Sequence, residues 1–259
     1  MSANFLRRLL AHPLTASLRV DDPATTELRK RIIASKPFLK AIYDEWYGML
    51  AQKVPSGEGL AVELGSGGGY AVQIIPGLVT SDVFVLPGIQ LVCNAQAMPF
   101  ADGVLRAIVM TNVLHHIPKV RLFFAEATRC LRPGGEILMI EPWVTPWSRL
   151  IYKKFHEEPF DPDAVDWEFA GTGPLSDANV ALPWIVFARD EKRFHEKFPN
   201  LRIECVRPFL PFRYLLSGGV AMRSLMPGFT HGAWASVERL MEPQMGRVGM
   251  FALVAVRRV

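Results

Sequence analysis

Residues 61–70 read Ala61-Val-Glu-Leu-Gly-Ser-Gly-Gly-Gly-Tyr70, a short apolar strand running into a cluster of glycines. Glycines at 65, 67 and 69 permit positive φ and let a ligand approach the backbone closely, and a helix beginning here would offer free N–H groups. A dinucleotide fingerprint would place its third glycine at position 70, which is Tyr70. A phosphate-cradling loop ending in Gly-Lys-Ser/Thr is also absent.

Charge around this stretch narrows the ligand. Val54 to Leu105 contains no Lys or Arg, while Glu58, Glu63, Asp82 and Asp102 are present. A triphosphate or an NADP 2′-phosphate normally recruits a cation, so a ligand that is itself cationic and bears hydroxyls fits better. The 259-residue chain has a formal charge of +4 and a pI near 9. That excess lies in residues 1–40, where eight basic side chains face three acidic ones, a balance of +5; the remainder therefore sums to −1. Nucleic acid is not expected as a partner, because no basic stripe interleaved with aromatics follows residue 40.

Outward from the glycine turn, apolar runs recur at Leu60–Leu64, Leu78–Thr80, Ile89–Cys93, Ala107–Thr111 and Glu136–Ile140. Between the last two, Val120, Phe123, Phe124, Ala127 and Leu131 share a helical face that Arg132-Pro-Gly-Gly closes. Continuously apolar strands joined by longer segments indicate a parallel sheet covered on both faces. Upstream, Asp22-Pro23 starts one helix that Pro37 ends, and Phe38, Ile42, Trp46 and Leu50 mark a second. Downstream come a helix over 190–198, an alternating strand from Leu201 to Cys205 and a last apolar run from Val248 to Val256. The expected division is a helical cap or leader over 1–55 and a sheet domain over 56–259. Insertions at about 142–188 and 208–246 would lie over or beside the carboxyl edge of the sheet, where open α/β folds bind ligands.

Cys93, Cys130 and Cys205 form no CxxC pair, so a disulfide scaffold is excluded and a reducing, cytoplasmic setting is expected. The uncharged runs 64–81 and 83–101 contain Pro, Gly and Gln and do not read as membrane spans. Phe5, Leu6, Leu9 and Leu10 with Arg7 and Arg8 could give weak membrane-surface contact.

Four blocks now stand in order: Glu63-Leu-Gly-Ser-Gly-Gly-Gly, Ala97-Met-Pro-Phe-Ala-Asp-Gly, Val113-Leu-His-His-Ile-Pro and Glu126-Ala-Thr-Arg-Cys-Leu-Arg-Pro-Gly-Gly. Together they resemble class I S-adenosylmethionine-dependent methyltransferases of the type 11 group, over roughly residues 60–141. The resemblance implies an α/β, Rossmann-like sheet of seven mostly parallel strands, with helices on both faces and the last strand antiparallel. It implies S-adenosylmethionine as cofactor. Gly65, Ser66, Gly67 and Gly69 would line its methionine part, with Glu63 reaching the ammonium. Asp82 would accept the ribose hydroxyls, and Asn94-Ala95 would meet the adenine amino group in place of the family's usual Asp-Ala. Met98 would pack on the ring, and Asn112 and Val113 would give main-chain contacts. Leu105-Arg106 replaces the common Phe-Asp.

Methyl transfer from a sulfonium needs alignment and dryness, with a base only for an acceptor proton of high pKa. His115, His116 and Glu141 are the candidates for substrate contact or base, and no metal is expected. The aromatic-rich insertions suggest a small, hydrophobic or lipid-like acceptor. The alternatives are an RNA or protein methyltransferase, or a non-catalytic protein that keeps the fold.

Overall fold

The computed structural model describes residues 23–259 apart from 157, 172 and 174–176. The expected N-cap Asp22 and the leader residues 5–10 lie outside the described residues.

Two helices open the described chain, α1 (Pro23–Ser35) and α2 (Pro37–Ala51), each with proline at its start. The sheet follows as β1 (Leu60–Leu64), β2 (Leu78–Asp82), β3 (Leu91–Val92), β4 (Leu105–Thr111) and, after α3 (Val120–Cys130), β5 (Leu131–Pro142). Next come α4 (Pro146–Phe155), a helical turn over Leu182–Trp184 that widens into a π-helical turn over Ile185–Arg189, and α5 (Glu191–Lys197). The chain ends with β6 (Leu201–Phe209), α6 (Arg213–Ser217), α7 (His231–Leu240) and β7 (Phe251–Arg258).

The seven strands are ordered β3-β2-β1-β4-β5-β7-β6. The first five are mutually parallel, and β7 inserts antiparallel to both β5 and β6. This is the expected mostly parallel sheet. Both faces are buried, as the period of two along each central strand requires. In β4, Ala107 and Val109 point to one core, and Ile108 and Met110 to the other. On the second face lie α3 and the segment 182–198, where Phe124 contacts the rings of Phe187, Phe194 and Phe198.

The first face departs from the expectation. A short helix is expected after the glycine turn, but the link from β1 to β2 holds only a 3₁₀ turn, Ala71–Gln73, too small to cover the sheet. The layer is supplied by α2, which buries Phe38, Leu39, Ile42, Tyr43, Trp46, Tyr47 and Leu50 in one core with Ala61, Ala107, Leu138 and Leu253. At roughly 1.5–3 kcal/mol for each fully buried large side chain, this helix is a major contributor to the stability of the fold. Trp46 lies 4.9 Å from the ring of Phe251 and stacks on Tyr214, at 5.9 Å. The segment before residue 55 thus shares the sheet's core.

The two insertions contribute α4, α6 and α7. Thr145 and Ser148 form a reciprocal capping box that fixes the start of α4. Arg213, on α6, donates to Glu238 of α7 at 2.5 Å and to Glu45 of α2 at 2.6 Å, joining the second insertion to the N-terminal helices.

Candidate functional site

The sheet order reverses between β1 and β4, and the crevice outside their carboxyl ends is where ligands sit in open α/β sheets. A cavity of about 830 Å³ occupies that place. Its floor includes Glu63 and Leu64 from β1, Gly65 to Gly69, Asp82 from β2, and Thr111, Asn112 and Val113 from the end of β4. Asn94 and Ala95 also line it.

The glycine turn is fixed by its neighbours. Ser66 donates its N–H to the Ser81 carbonyl at 2.8 Å, and its hydroxyl accepts the Ser81 N–H. Gly65 has φ +67°, and a Cβ there would lie 2.6 Å from Val113 Cγ2, so both conformation and space demand glycine. A Cβ on Gly68 would come within 2.9 Å of the Lys30 backbone nitrogen, so α1 lies directly against the loop.

Glu63 is the unusual group. It is 2 % exposed, and its Oε2 has no hydrogen-bond partner. Burial pushes its carboxyl up to about 7, opposed by the Ser66 hydrogen bond and assisted by the Asp82 charge. Thr111 Oγ1, another lining atom, is likewise buried without a partner. A buried carboxylate oxygen with nothing to meet it suits a cationic ligand group and disfavours a phosphate.

Asp82 stands at the end of β2, whose extent, Leu78–Asp82, gives it the placement on which a ribose contact depends. Oδ2 accepts the Gly67 N–H at 3.0 Å and Oδ1 the Phe84 N–H at 3.0 Å, so the side chain also clasps the turn. Each oxygen keeps a second lone pair. Burial raises its pKa, and these N–H groups oppose the rise. Asn94 Oδ1 accepts from the Gln96 N–H at 2.9 Å and from Gln96 Nε2 at 3.2 Å. Its amide oxygen is thus partly engaged before any adenine arrives.

Two of the expected residues are placed otherwise. Met98 is buried in the core beneath the cavity wall, its N–H held by Glu126 at 2.8 Å, and does not line the cavity. Glu141 is fully buried and faces inward instead of the rim. Its Oε1 accepts the Val113 and Leu114 N–H groups at 2.7 and 2.8 Å, and its Oε2 pairs with His115 Nδ1 at 2.7 Å. It therefore fixes the turn after β4.

His115 and His116 do reach the cavity. Burial depresses His115, but Glu141 and Glu158 outweigh it and raise the imidazole to about 9. Its Nε2 lies 3.4 Å from Glu158 Oε2. Burial, and then the His115 charge, hold His116 down to about 3, and its Nδ1 has no partner. Glu158 comes from the first insertion, and neither its role nor that of Tyr152, Phe155 and Tyr214, which also line the cavity, follows from spacing in the sequence. Of the aromatic residues in the insertions, Trp143, Trp147, Trp167, Trp184 and Trp234 do not line the cavity; Trp167 is fully buried on the other face, between Arg121 and Arg193.

With this geometry in place, comparison with known proteins is decisive for part of the chain. Residues 62–139 match the family model described as a methyltransferase domain. Over that segment the chain carries a methyltransferase domain. No curated protein matches it in sequence. Among solved structures, this methyltransferase resembles the geranyl diphosphate C-methyltransferase from Streptomyces coelicolor A3(2), crystallised with Mg2+, geranyl diphosphate and S-adenosyl-L-homocysteine. Identity is 16 %, coverage 99 % of this chain and 98 % of that one, and the TM-score 0.53. A geranyl diphosphate methyltransferase bound to SAM aligns at 19 % identity over 93 % and 94 % of the two chains, with a TM-score of 0.50. At such identities the likeness is one of fold. Among the described residues, no helix of the methyltransferase is long and apolar enough to cross a membrane.

Proposed function

We propose that this methyltransferase moves the methyl group of S-adenosylmethionine to a small, hydrophobic acceptor. The observation that supports this reading best is the buried, unpartnered Glu63 oxygen beside a glycine turn, in a cavity that many apolar side chains also line. The polar lining suits the cofactor: Glu63 for its ammonium, the Gly65–Gly67 backbone for its methionine chain, Asp82 for the ribose, and Ala95 beside Asn94 for the adenine. The main chain at Asn112 and Val113 would complete that wall. When bound, the cofactor supplies a methyl already activated by positive sulfur.

The remaining work falls to alignment and exclusion of water. Ile33, Tyr43, Tyr152, Phe155, Leu215 and Phe251 also line the cavity and would hold an apolar acceptor. Arg29 is the one Lys or Arg among the described lining residues, which weighs against RNA. A prenyl acceptor such as that of the structural neighbours fits the apolar walls, whereas its diphosphate would find little positive charge among them.

Calorimetry with S-adenosylmethionine and S-adenosylhomocysteine tests the first half: both bind if the reading holds, and binding by neither overturns it. Methylation of lipophilic alcohols and phenols, with bulk RNA and protein as competing substrates, tests the second. Turnover confined to the macromolecules would reject the hydrophobic acceptor.

A further inference from the structure

In the wall of the cavity, His115, His116 and Glu158 offer three ligand atoms that all lie within 4.8 Å of one another. Glu158 Oε2 is 3.4 Å from His115 Nε2, and Glu158 Oε1 is 3.7 Å from His116 Nε2. Around a tetrahedral ion with bonds of about 2.0–2.1 Å, donor atoms stand roughly 3.3–3.4 Å apart, close to the two distances from Glu158 to the imidazoles.

Three further features point the same way. Glu141 grips His115 Nδ1, which leaves Nε2 directed at Glu158; a carboxylate behind a histidine is the usual way a ligating imidazole is oriented. The His115 and His116 side chains are only 3 % and 11 % exposed, so the cluster is screened from bulk water. The residues belong to the cavity wall, so coordination positions not taken by protein would open onto the acceptor space.

We propose that His115, His116 and Glu158 form a binding site for a divalent transition-metal ion, with Glu141 as the positioning residue for His115. Two imidazoles and one carboxylate suit zinc, cobalt, nickel or ferrous iron better than magnesium. The ion would sit between His115 Nε2 and Glu158 Oε2, which are 3.4 Å apart. Building on the methyl-transfer reading, its open position receives an acceptor hydroxyl. Coordination lowers that hydroxyl's pKa, its proton passes to solvent, and the oxygen lone pair forms the new bond to the methyl carbon while the carbon–sulfur pair leaves on sulfur.

The test uses the full chain, stripped with a chelator and titrated with zinc alone, and separately with cobalt followed by visible spectroscopy. One zinc per chain is expected, with cobalt bands typical of nitrogen and oxygen donors. Glu158→Gln and His116→Ala should each weaken zinc binding by about a hundredfold, and Glu141→Gln by about 10–100-fold. Absence of stoichiometric uptake by the parent protein would overturn the site, as would a thiolate charge-transfer band or binding unchanged in both ligand variants. S-adenosylhomocysteine binding to the metal-free parent is measured in parallel. Its loss would count against the methyl-transfer reading, whereas its retention without zinc uptake would count against the metal alone.

Discussion

Glu63 carries two pH effects of opposite sign. In the folded protein its carboxyl titrates near 7, against an ordinary value of 4.5, so the folded state holds a proton that the unfolded chain has released. Stability from this group is therefore full below about pH 4.5 and is lost as pH rises through about 7, an effect of up to about 3 kcal/mol. Denaturant titrations of the ligand-free protein should show that decline, and Glu63→Gln should remove it. Affinity for S-adenosylmethionine should move the other way, rising through pH 7 as the carboxylate ionises to meet the ammonium. In Glu63→Gln it should be roughly tenfold weaker or more and flat with pH, by calorimetry. Gly65→Ala carries a backbone penalty of about 1–2 kcal/mol and presses on Val113, so both thermal stability and cofactor affinity should fall. The glycines, Glu63 and Asp82 were legible in the sequence because their neighbours in space are also neighbours along the motif. Glu158 was not, since it meets the two histidines only after the chain has passed through β5 and α4. The inward turn of Glu141 was equally hidden, because a residue ending a strand can face the rim or the turn beside it.

Among the elements, α2 shows what a pattern read one segment at a time leaves out. Its residues Phe38, Ile42, Trp46 and Leu50 mark a helix with an apolar face, but nothing local says what that face meets. The deficit is at the other partner: only a 3₁₀ turn joins β1 to β2, and the vacated face is filled by α2. Trp46→Ala should therefore behave as a central core deletion, costing about 3–5 kcal/mol in denaturant unfolding. The linked insertion gives a second element-scale prediction. Arg213 is 4 % exposed and bridges Glu45 and Glu238, the latter 3 % exposed. Arg213→Met should leave Glu238 buried without a counter-charge and cost roughly 3–5 kcal/mol. It should also loosen the wall formed by Tyr214 and Leu215. Lys36, at the junction of α1 and α2, donates to the Gly219 and Met222 carbonyls at 2.6 and 2.8 Å and so holds the next part of that wall.

For the molecule as a whole, the alternation of strands and turns predicted a parallel sheet, and the absence of Lys and Arg from Val54 to Leu105 pointed to a cationic ligand. The sheet is parallel over its first five strands, and Arg29 is the one Lys or Arg among the described residues lining the cavity. The shape of the acceptor space was not predictable, because it is assembled from α1, α2, α4 and the 208–246 insertion, which converge only in three dimensions. The position of β7 has a further consequence, for how the chain reaches its fold. Residues 251–258 lie between β5 and β6 and touch α2 through Trp46, so the earliest and latest described parts meet in one core. Until those residues have been synthesised, β5 presents an open edge, β6 has no place to pair, and the apolar face of α2 lacks part of its cover. Folding is then governed by contacts of long sequence separation and is expected to be slow, with nascent intermediates that depend on chaperones. A chain stopped before Met250 should accumulate as aggregate although every residue of the glycine turn is present.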